Sequence, residues 1–394
     1  MNISVIGGCG HVGLPLSLYL SHFGHKVVAF DISIQNVKKV QSKVMPFIET
    51  GFQEILTEVV ENGNFKATPD INEISESEVL IVVIGTEVDE HMNPQPNKII
   101  EVMQNLLELV RDGQLIILRS TVFPGVTKKV EDFFLQNSKN VDIAFCPERI
   151  AEGEAFHELI TLPQIIGSRS KKVFERASEV FSCFGIKMVN ATPEEAELAK
   201  LFTNSWRYIK FATANQFFMM ATDFGLSFEK VRQITINDYP RAKDLPRAGF
   251  AAGPCLLKDT LQLGSFSNNN FALGYSAMQI NEGLPNFIIN KIEQFYDLSN
   301  LTIGILGMTF KANSDDKRSS LGYKIKKILE FKSKKVICND PFILDPDFVE
   351  LNDLISQVDL VIVGVPHSLY DDLKIDKPIF NIWDDSKSTL HLYK

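Results

Sequence analysis

The apolar run Ile3–Ile6 leads directly into Gly8-Cys9-Gly10-His11-Val12-Gly13, and no other feature of the chain restricts its fold as strongly. Glycine at 8 and 10 permits a tight turn and lets the backbone approach a pyrophosphate. Glycine at 13 permits close helix–strand packing, and the helix N-terminus supplies amide donors and the positive end of its dipole. The spacing alone is a weak signal. Here a second apolar run, Lys26–Ile32, carries Asp31 18 residues after Gly13, where a carboxylate accepts from ribose hydroxyls. Ile32 and Ser33 follow, with no arginine for a 2′-phosphate, so the pattern predicts NAD rather than NADP. The expected cofactor loop comprises Gly8, Gly10, His11, Val12, Gly13 and Asp31; the side chains of Cys9 and His11 read as turn residues only.

Up to about residue 190, further apolar runs alternate with amphipathic segments: Val79–Ile84, Gln114–Leu118, Val141–Phe145, Gln164–Gly167 and Lys187–Val189. Continuous apolar runs spaced this way predict a mostly parallel sheet covered on both faces. Thr192-Pro193-Glu194-Glu195 reads as a capping box with proline at the first helical position. The next stop is Gly225, which predicts a helix of about 32 residues, roughly 48 Å long. A helix of that length connects domains or carries a dimer interface. Strand-like runs return at Thr302–Leu306, Lys335–Cys338, Asp359–Val363 and Ile379–Ile382. The expected fold is α/β: a Rossmann domain over 1–192, a helical dimerisation domain over 193–298, and a second Rossmann-like domain over 299–394. A chain of 394 residues is too long for a single core, which agrees with this division.

A net charge of −9 argues against a nucleic-acid-binding or anionic-membrane surface. No apolar run approaches the roughly 18–20 residues of a membrane span. The five cysteines, Cys9, Cys146, Cys183, Cys255 and Cys338, are widely spaced and odd in number, which predicts reduced thiols in a cytoplasmic protein and no metal site.

A Rossmann domain does not define a reaction. More informative is Gly253-Pro254-Cys255-Leu256-Leu257-Lys258-Asp259, which takes its place in an ordered set of motifs. The set begins with the glycine loop extended by Leu14-Pro15, then Ser120-Thr121-Val122 and Pro147-Glu148-Arg149-Ile150-Ala151-Glu152-Gly153. It continues with Lys200 and Asn204 on the long helix and ends, after the cysteine loop, with Phe310-Lys311-Ala312-Asn313-Ser314-Asp315-Asp316-Lys317-Arg318. Together these resemble the UDP-glucose/GDP-mannose dehydrogenase family, whose catalytic loop reads roughly GGxCxPKD. The resemblance implies NAD-dependent oxidation of a nucleotide sugar's primary alcohol to a carboxylate, in a homodimer.

That chemistry suits a cysteine. The first hydride removal leaves an aldehyde, which has no second hydride to give until a nucleophile adds to it. A thiolate forms a thiohemiacetal, and the second oxidation leaves a hydrolysable thioester. The resemblance gives this role to Cys255. Lys200 and Asn204, four apart and so on one helix face, are expected to stabilise a developing oxyanion. Asp259 is implied as base or water-orienting acid, Thr121 as its helper, and Glu152 as the carboxylate assisting thioester hydrolysis. Glu148 is implied near the sugar, Thr86 and Thr121 at the cofactor, and Phe250 and Gly253 in the substrate loop. Lys311 and Arg318 suit a diphosphate, and Arg241 resembles an arginine that reaches the substrate across the dimer.

The chain departs from the family pattern at Phe250 and Ala252, where glycine is common, and at Leu257, Glu87 and Gln216. Lys258 resembles the glucose and mannose branches, so UDP-glucose is the expected substrate, with a UDP-N-acetylhexosamine or GDP-mannose as alternatives. Two further readings are a two-electron hydroxy-acid dehydrogenase and a non-catalytic NAD-binding sensor. Cys255 and the segment after Leu301 count against the first, and the intact set of site residues counts against the second.

Overall fold

Eight short strands form the first sheet: β1 (Asn2–Ile6), β2 (Lys26–Phe30), β3 (Phe65–Thr68), β4 (Val79–Val82), β5 (Leu115–Leu118), β6 (Asp142–Phe145), β7 (Gln164–Ser168) and β8 (Met188–Ala191). Their spatial order is β3-β2-β1-β4-β5-β6-β7-β8. Every pairing is parallel except β6 with β7. All residues of β4 and β5 are buried, which is why these strands read as unbroken apolar runs. β3 escaped the sequence analysis because it is an edge strand with Lys66 turned to solvent, leaving too short an apolar signal. The computed structural model describes residues 1–86, 88–89, 93–251 and 253–393; Glu87 and Ala252, two of the departures noted above, lie outside the described residues.

The long helix runs from Pro193 to Asp223, 31 residues. Its capping box is formed: the Thr192 hydroxyl accepts from the Glu195 amide at 3.3 Å, and the Glu195 carboxylate accepts from the Thr192 amide at 2.8 Å. The chain divides within this helix into two compact units, 1–203 and 204–394. In the second unit β9 (Thr302–Leu306), β10 (Lys335–Asn339), β11 (Leu360–Val363) and β12 (Ile379–Asn381) form an all-parallel sheet in the order β10-β9-β11-β12. Leu284, Ile288 and Ile292 of the helix Ala272–Ile292 share a core with Ile303 and Ile305 of β9 and with Ile325 and Leu329 of the helix Leu321–Lys332. No helix among the described residues is long and apolar enough to cross a membrane.

Candidate active site

Within the first unit, the expected site residues gather at one edge of the sheet. The glycine loop follows β1, Asp31 follows β2, Thr86 follows β4, Thr121 follows β5, and Glu148 and Glu152 follow β6. All five strands run in the same direction, and the strand order reverses between β1 and β4. The carboxyl edge at such a reversal is where open α/β sheets bind ligands.

The glycines of the loop divide their work differently from the sequence expectation. The turn itself depends on Gly7, with φ of 81°, where a Cβ would lie 1.9 Å from the Val83 carbonyl oxygen. Gly7 stands outside the six-residue pattern and so carries no sequence signal of its own. A Cβ on Gly8 would lie 2.7 Å from Ala29, and one on Gly13 would lie 2.1 Å from the Gly7 carbonyl oxygen. A Cβ on Gly10 would meet nothing nearer than 3.6 Å. The protein therefore does not itself require glycine at position 10, and the open space suits a pyrophosphate. The amides of Val12 and Gly13 at the start of the first helix, Gly13–His22, have no acceptor among the described residues. The Asp31 carboxylate accepts from the Cys9 amide at 3.0 Å and the Ser33 amide at 2.9 Å, so it also latches the loop.

His11 does more than occupy the turn. Its ring stacks on Phe47 with centroids 4.1 Å apart, and its Nδ1 lies 3.8 Å from a Glu152 carboxylate oxygen. The Thr86 hydroxyl donates to the Thr121 carbonyl at 2.5 Å, which ties the β4 and β5 loops together. Glu148, expected as a positioning residue near the sugar, is itself held on both carboxylate oxygens. One carboxylate oxygen pairs with the buried Arg119, and the other accepts from the amides of Arg149 and Ile150 at 2.7 and 2.9 Å. These contacts make Glu148 a support of its own loop. Lys200 is 8% exposed, and its ammonium makes no hydrogen bond or ion pair with any described residue.

In the second unit, Cys255 is exposed and occupies the N-cap of the helix Leu256–Phe266. A helix N-terminus favours the thiolate. The other cysteines lack this advantage: burial pushes the thiols of Cys146 and Cys338 up to about 12 and that of Cys183 up to about 11. Burial and the Asp31 charge together raise Cys9 to about 12. One turn beyond Cys255, Asp259 is fully buried, and its Oδ2 accepts from the Asn204 amide nitrogen at 2.6 Å. Its Oδ1 has no hydrogen-bond partner and lies 3.6 Å from the Lys258 ammonium.

The loop leading to the cysteine is held at two points. Buried Asn215 donates to the Gly249 carbonyl at 3.0 Å and accepts from the Gly249 amide at 2.9 Å. Gly253, with φ of 103°, packs on Phe310, whose ring a Cβ would meet at 2.7 Å. This joins the cysteine loop to the motif carrying Lys311 and Arg318. Phe250, expected in the substrate loop, has a ring 4% exposed that packs edge-on against Trp383 within the core of this unit. Arg318 is paired with buried Asp316 through two bonds of 2.8 and 3.0 Å from its Nε, and Lys311 is half-buried nearby in sequence. Arg241 is exposed and stacks over Tyr239 at 5.2 Å.

Residues 1–185 match the NAD-binding domain of the UDP-glucose/GDP-mannose dehydrogenase family, 194–283 its central domain and 304–383 its UDP-binding domain. The chain belongs to this family. As a family member it is an NAD-dependent nucleotide-sugar dehydrogenase, an oxidoreductase acting on a CH–OH group. A relative from Pyrococcus horikoshii named UDP-N-acetyl-D-mannosamine dehydrogenase is 29% identical over 93% of this chain and 90% of its own length. The solved structure of a UDP-D-ManNAc dehydrogenase from Pyrococcus horikoshii superposes with a TM-score of 0.90 at 26% identity, covering 98% of this chain and 96% of that one. A UDP-glucose dehydrogenase structure from Pyrobaculum islandicum shares the fold, with a TM-score of 0.87 at 22% identity over 96% and 93% of the two chains.

NAD fits the open face of Gly10 and the unfilled amides beside it. Asp31→Ala is expected to weaken NAD by about 1–3 kcal/mol, the value of the charged hydrogen bond to ribose that the sequence pattern predicts. Titration calorimetry with NAD checks this; unchanged affinity would confine Asp31 to holding the loop.

Proposed function

We propose that this dehydrogenase oxidises C6 of a UDP-N-acetylhexosamine, UDP-N-acetyl-D-mannosamine foremost, to the carboxylate through a thioester on Cys255. The observation that carries the chemistry is Cys255 itself, an exposed thiol at a helix N-terminus in a chain whose other cysteines are held protonated. The sugar assignment replaces the UDP-glucose expectation. It rests on the relative of 29% identity, whose name specifies UDP-N-acetyl-D-mannosamine. Lys258, which had favoured glucose, has its ammonium 3.6 Å from Asp259, so its presence is accounted for without any contact to the sugar.

Bound NAD supplies the hydride acceptor for each of the two oxidations. The chain's residues do the rest. Cys255 adds to the aldehyde carbon, and Lys200 with Asn204 stabilises the oxygen as it gains charge. Asp259 takes the proton, and Glu152 assists water in hydrolysing the thioester. Lys311 and Arg318 bind the diphosphate, a role supported by the match of 304–383 to a UDP-binding domain.

A homodimer is part of this proposal. Phe202, Trp206, Phe217 and Met220 are all exposed and recur at helical spacing on one stripe of the long helix, which supports an interface there. The cytoplasm is the proposed location, supported by five free cysteines.

The test is NADH production over a panel of UDP-N-acetyl-D-mannosamine, the other UDP-N-acetylhexosamines, UDP-glucose and GDP-mannose. The expected result is two NADH per UDP-N-acetyl-D-mannosamine consumed, with the highest kcat/KM of the panel. Turnover confined to UDP-glucose would overturn the sugar assignment, and one NADH per substrate would overturn the thioester.

A further inference from the structure

The loop carrying Glu152 is pinned on both sides by carboxylates. The Ala151 amide donates to Glu158 at 2.6 Å, while Glu49, buried and 104 residues away in sequence from Gly153, accepts from the amides of Gly153 and Ala155 at 3.1 and 3.0 Å. These bonds fix the backbone on both sides of Glu152. Facing that carboxylate is His11, with Nδ1 at 3.8 Å from Oε1. The imidazole is itself immobilised on Phe47, two residues before Glu49 in the segment that clamps the Glu152 loop. Nothing in a dinucleotide cradle asks for a histidine here, since the backbone and glycines do that work.

We propose that His11 is a positioning residue for Glu152, tying the carboxylate that attends thioester hydrolysis to the loop that cradles the dinucleotide. The inference rests on the hydrolytic role given to Glu152 above. In that step the oxygen of water bonds to the thioester carbonyl carbon, and the C–S bond breaks with its electron pair left on Cys255 Sγ. The proton shed by water passes to Glu152. A carboxylate that wanders from its place slows this step and leaves the preceding oxidations intact, so acyl-enzyme accumulates.

The test compares His11→Phe, which keeps the stack on Phe47 and loses the ring nitrogens, with Glu152→Gln and the double variant. The substrate is UDP-N-acetyl-D-mannosamine, or UDP-glucose should the panel above single it out. Acid-quenched samples are weighed by intact-protein mass spectrometry during steady turnover. His11→Phe is expected to lower kcat about tenfold, the scale of a small misplacement of a catalytic group, with KM for NAD within about twofold of the parent. The adduct on Cys255 becomes the main species. His11→Gln, which keeps a polar side chain toward Glu152, accumulates less adduct than His11→Phe. The double variant is no slower than Glu152→Gln, because the histidine acts only through the acid. If Glu152→Gln accumulates adduct and His11→Phe does not, or if His11→Phe raises KM for NAD with kcat unchanged, the positioning role is overturned while the Glu152 reading stands. If Glu152→Gln itself accumulates none, the hydrolytic role of Glu152 falls and this inference falls with it.

Discussion

Cys255→Ser is expected to lower kcat by about 1,000-fold or more, a barrier increase of roughly 4 kcal/mol, while NAD binds as in the parent. A serine hydroxyl stays protonated at neutral pH and is a far weaker nucleophile than a thiolate. The helix N-terminus that favours negative charge on sulfur therefore does nothing comparable for the hydroxyl. NAD affinity is spared because the cradle is built from the loops after β1 and β2, distant in sequence from Cys255. Steady-state NADH production and NAD titration on the same preparation check both halves. Turnover near the parent value in Cys255→Ser would sink the thioester. The buried cysteines supply the control: Cys338→Ala removes a thiol that burial holds protonated, and kcat should stay within about twofold of the parent.

Much of this architecture is legible in the sequence, and for definite reasons. Strands buried on both faces must be apolar throughout, so β4 and β5 announced themselves, and the capping box at Thr192 fixed the start of the long helix within a residue. Legibility failed where a strand lies at an edge, as in β3 with its exposed Lys66. It failed again where the deciding contact is distant in sequence. Asn204 and Asp259 were each recognisable, but their hydrogen bond across 55 residues was not. Arg119 belongs to no motif, yet it pairs with Glu148 from 29 residues away in sequence. Phe250 looked like a loop residue because glycine is common there; burial against Trp383 turned it into core. Glu49 and Asn215 carry no motif at all, and they became visible only as partners of loop amides and carbonyls.

The two Rossmann-like sheets also share a device. In the first, Asp31 after β2 accepts from the Cys9 amide in the loop after β1. In the second, Asp340 after β10 accepts from the amides of Met308 and Thr309 after β9, at 2.6 and 3.1 Å. The second sheet adds a fully buried histidine: His367 lies 3.1 Å from Asp340 and accepts from the Asn313 amide at 2.9 Å. An acid in this position organises loop backbone whether or not it meets a ligand. Asp31 is thus a structural latch first, which is why its substitution is expected to cost only part of the NAD affinity.

Lys200→Met is expected to lower kcat by about 100- to 1,000-fold, the usual effect of removing one oxyanion donor, while leaving the melting temperature equal to or above the parent value. Both halves come from the same observation. Lys200 is more than nine-tenths buried with no acid, carbonyl or amide partner among the described residues. A lysine enclosed to this extent with no described partner adds little to folding, and a residue kept for packing alone would be apolar at such a position. Methionine fills a similar volume without the charge, so any destabilising effect of Lys200 disappears in the variant. The role proposed for Lys200, meeting charge that develops during turnover, accounts for a lysine at this position one turn from Asn204 on the long helix. The measurement pairs thermal unfolding with steady-state kinetics. A fall in melting temperature of several degrees would show that Lys200 is held by a structural partner, and kcat within about threefold of the parent would remove it from the oxyanion site. Lys200→Arg separates charge from geometry. A guanidinium keeps the positive charge but cannot occupy the space of an ammonium, so this variant should remain well below the parent in kcat.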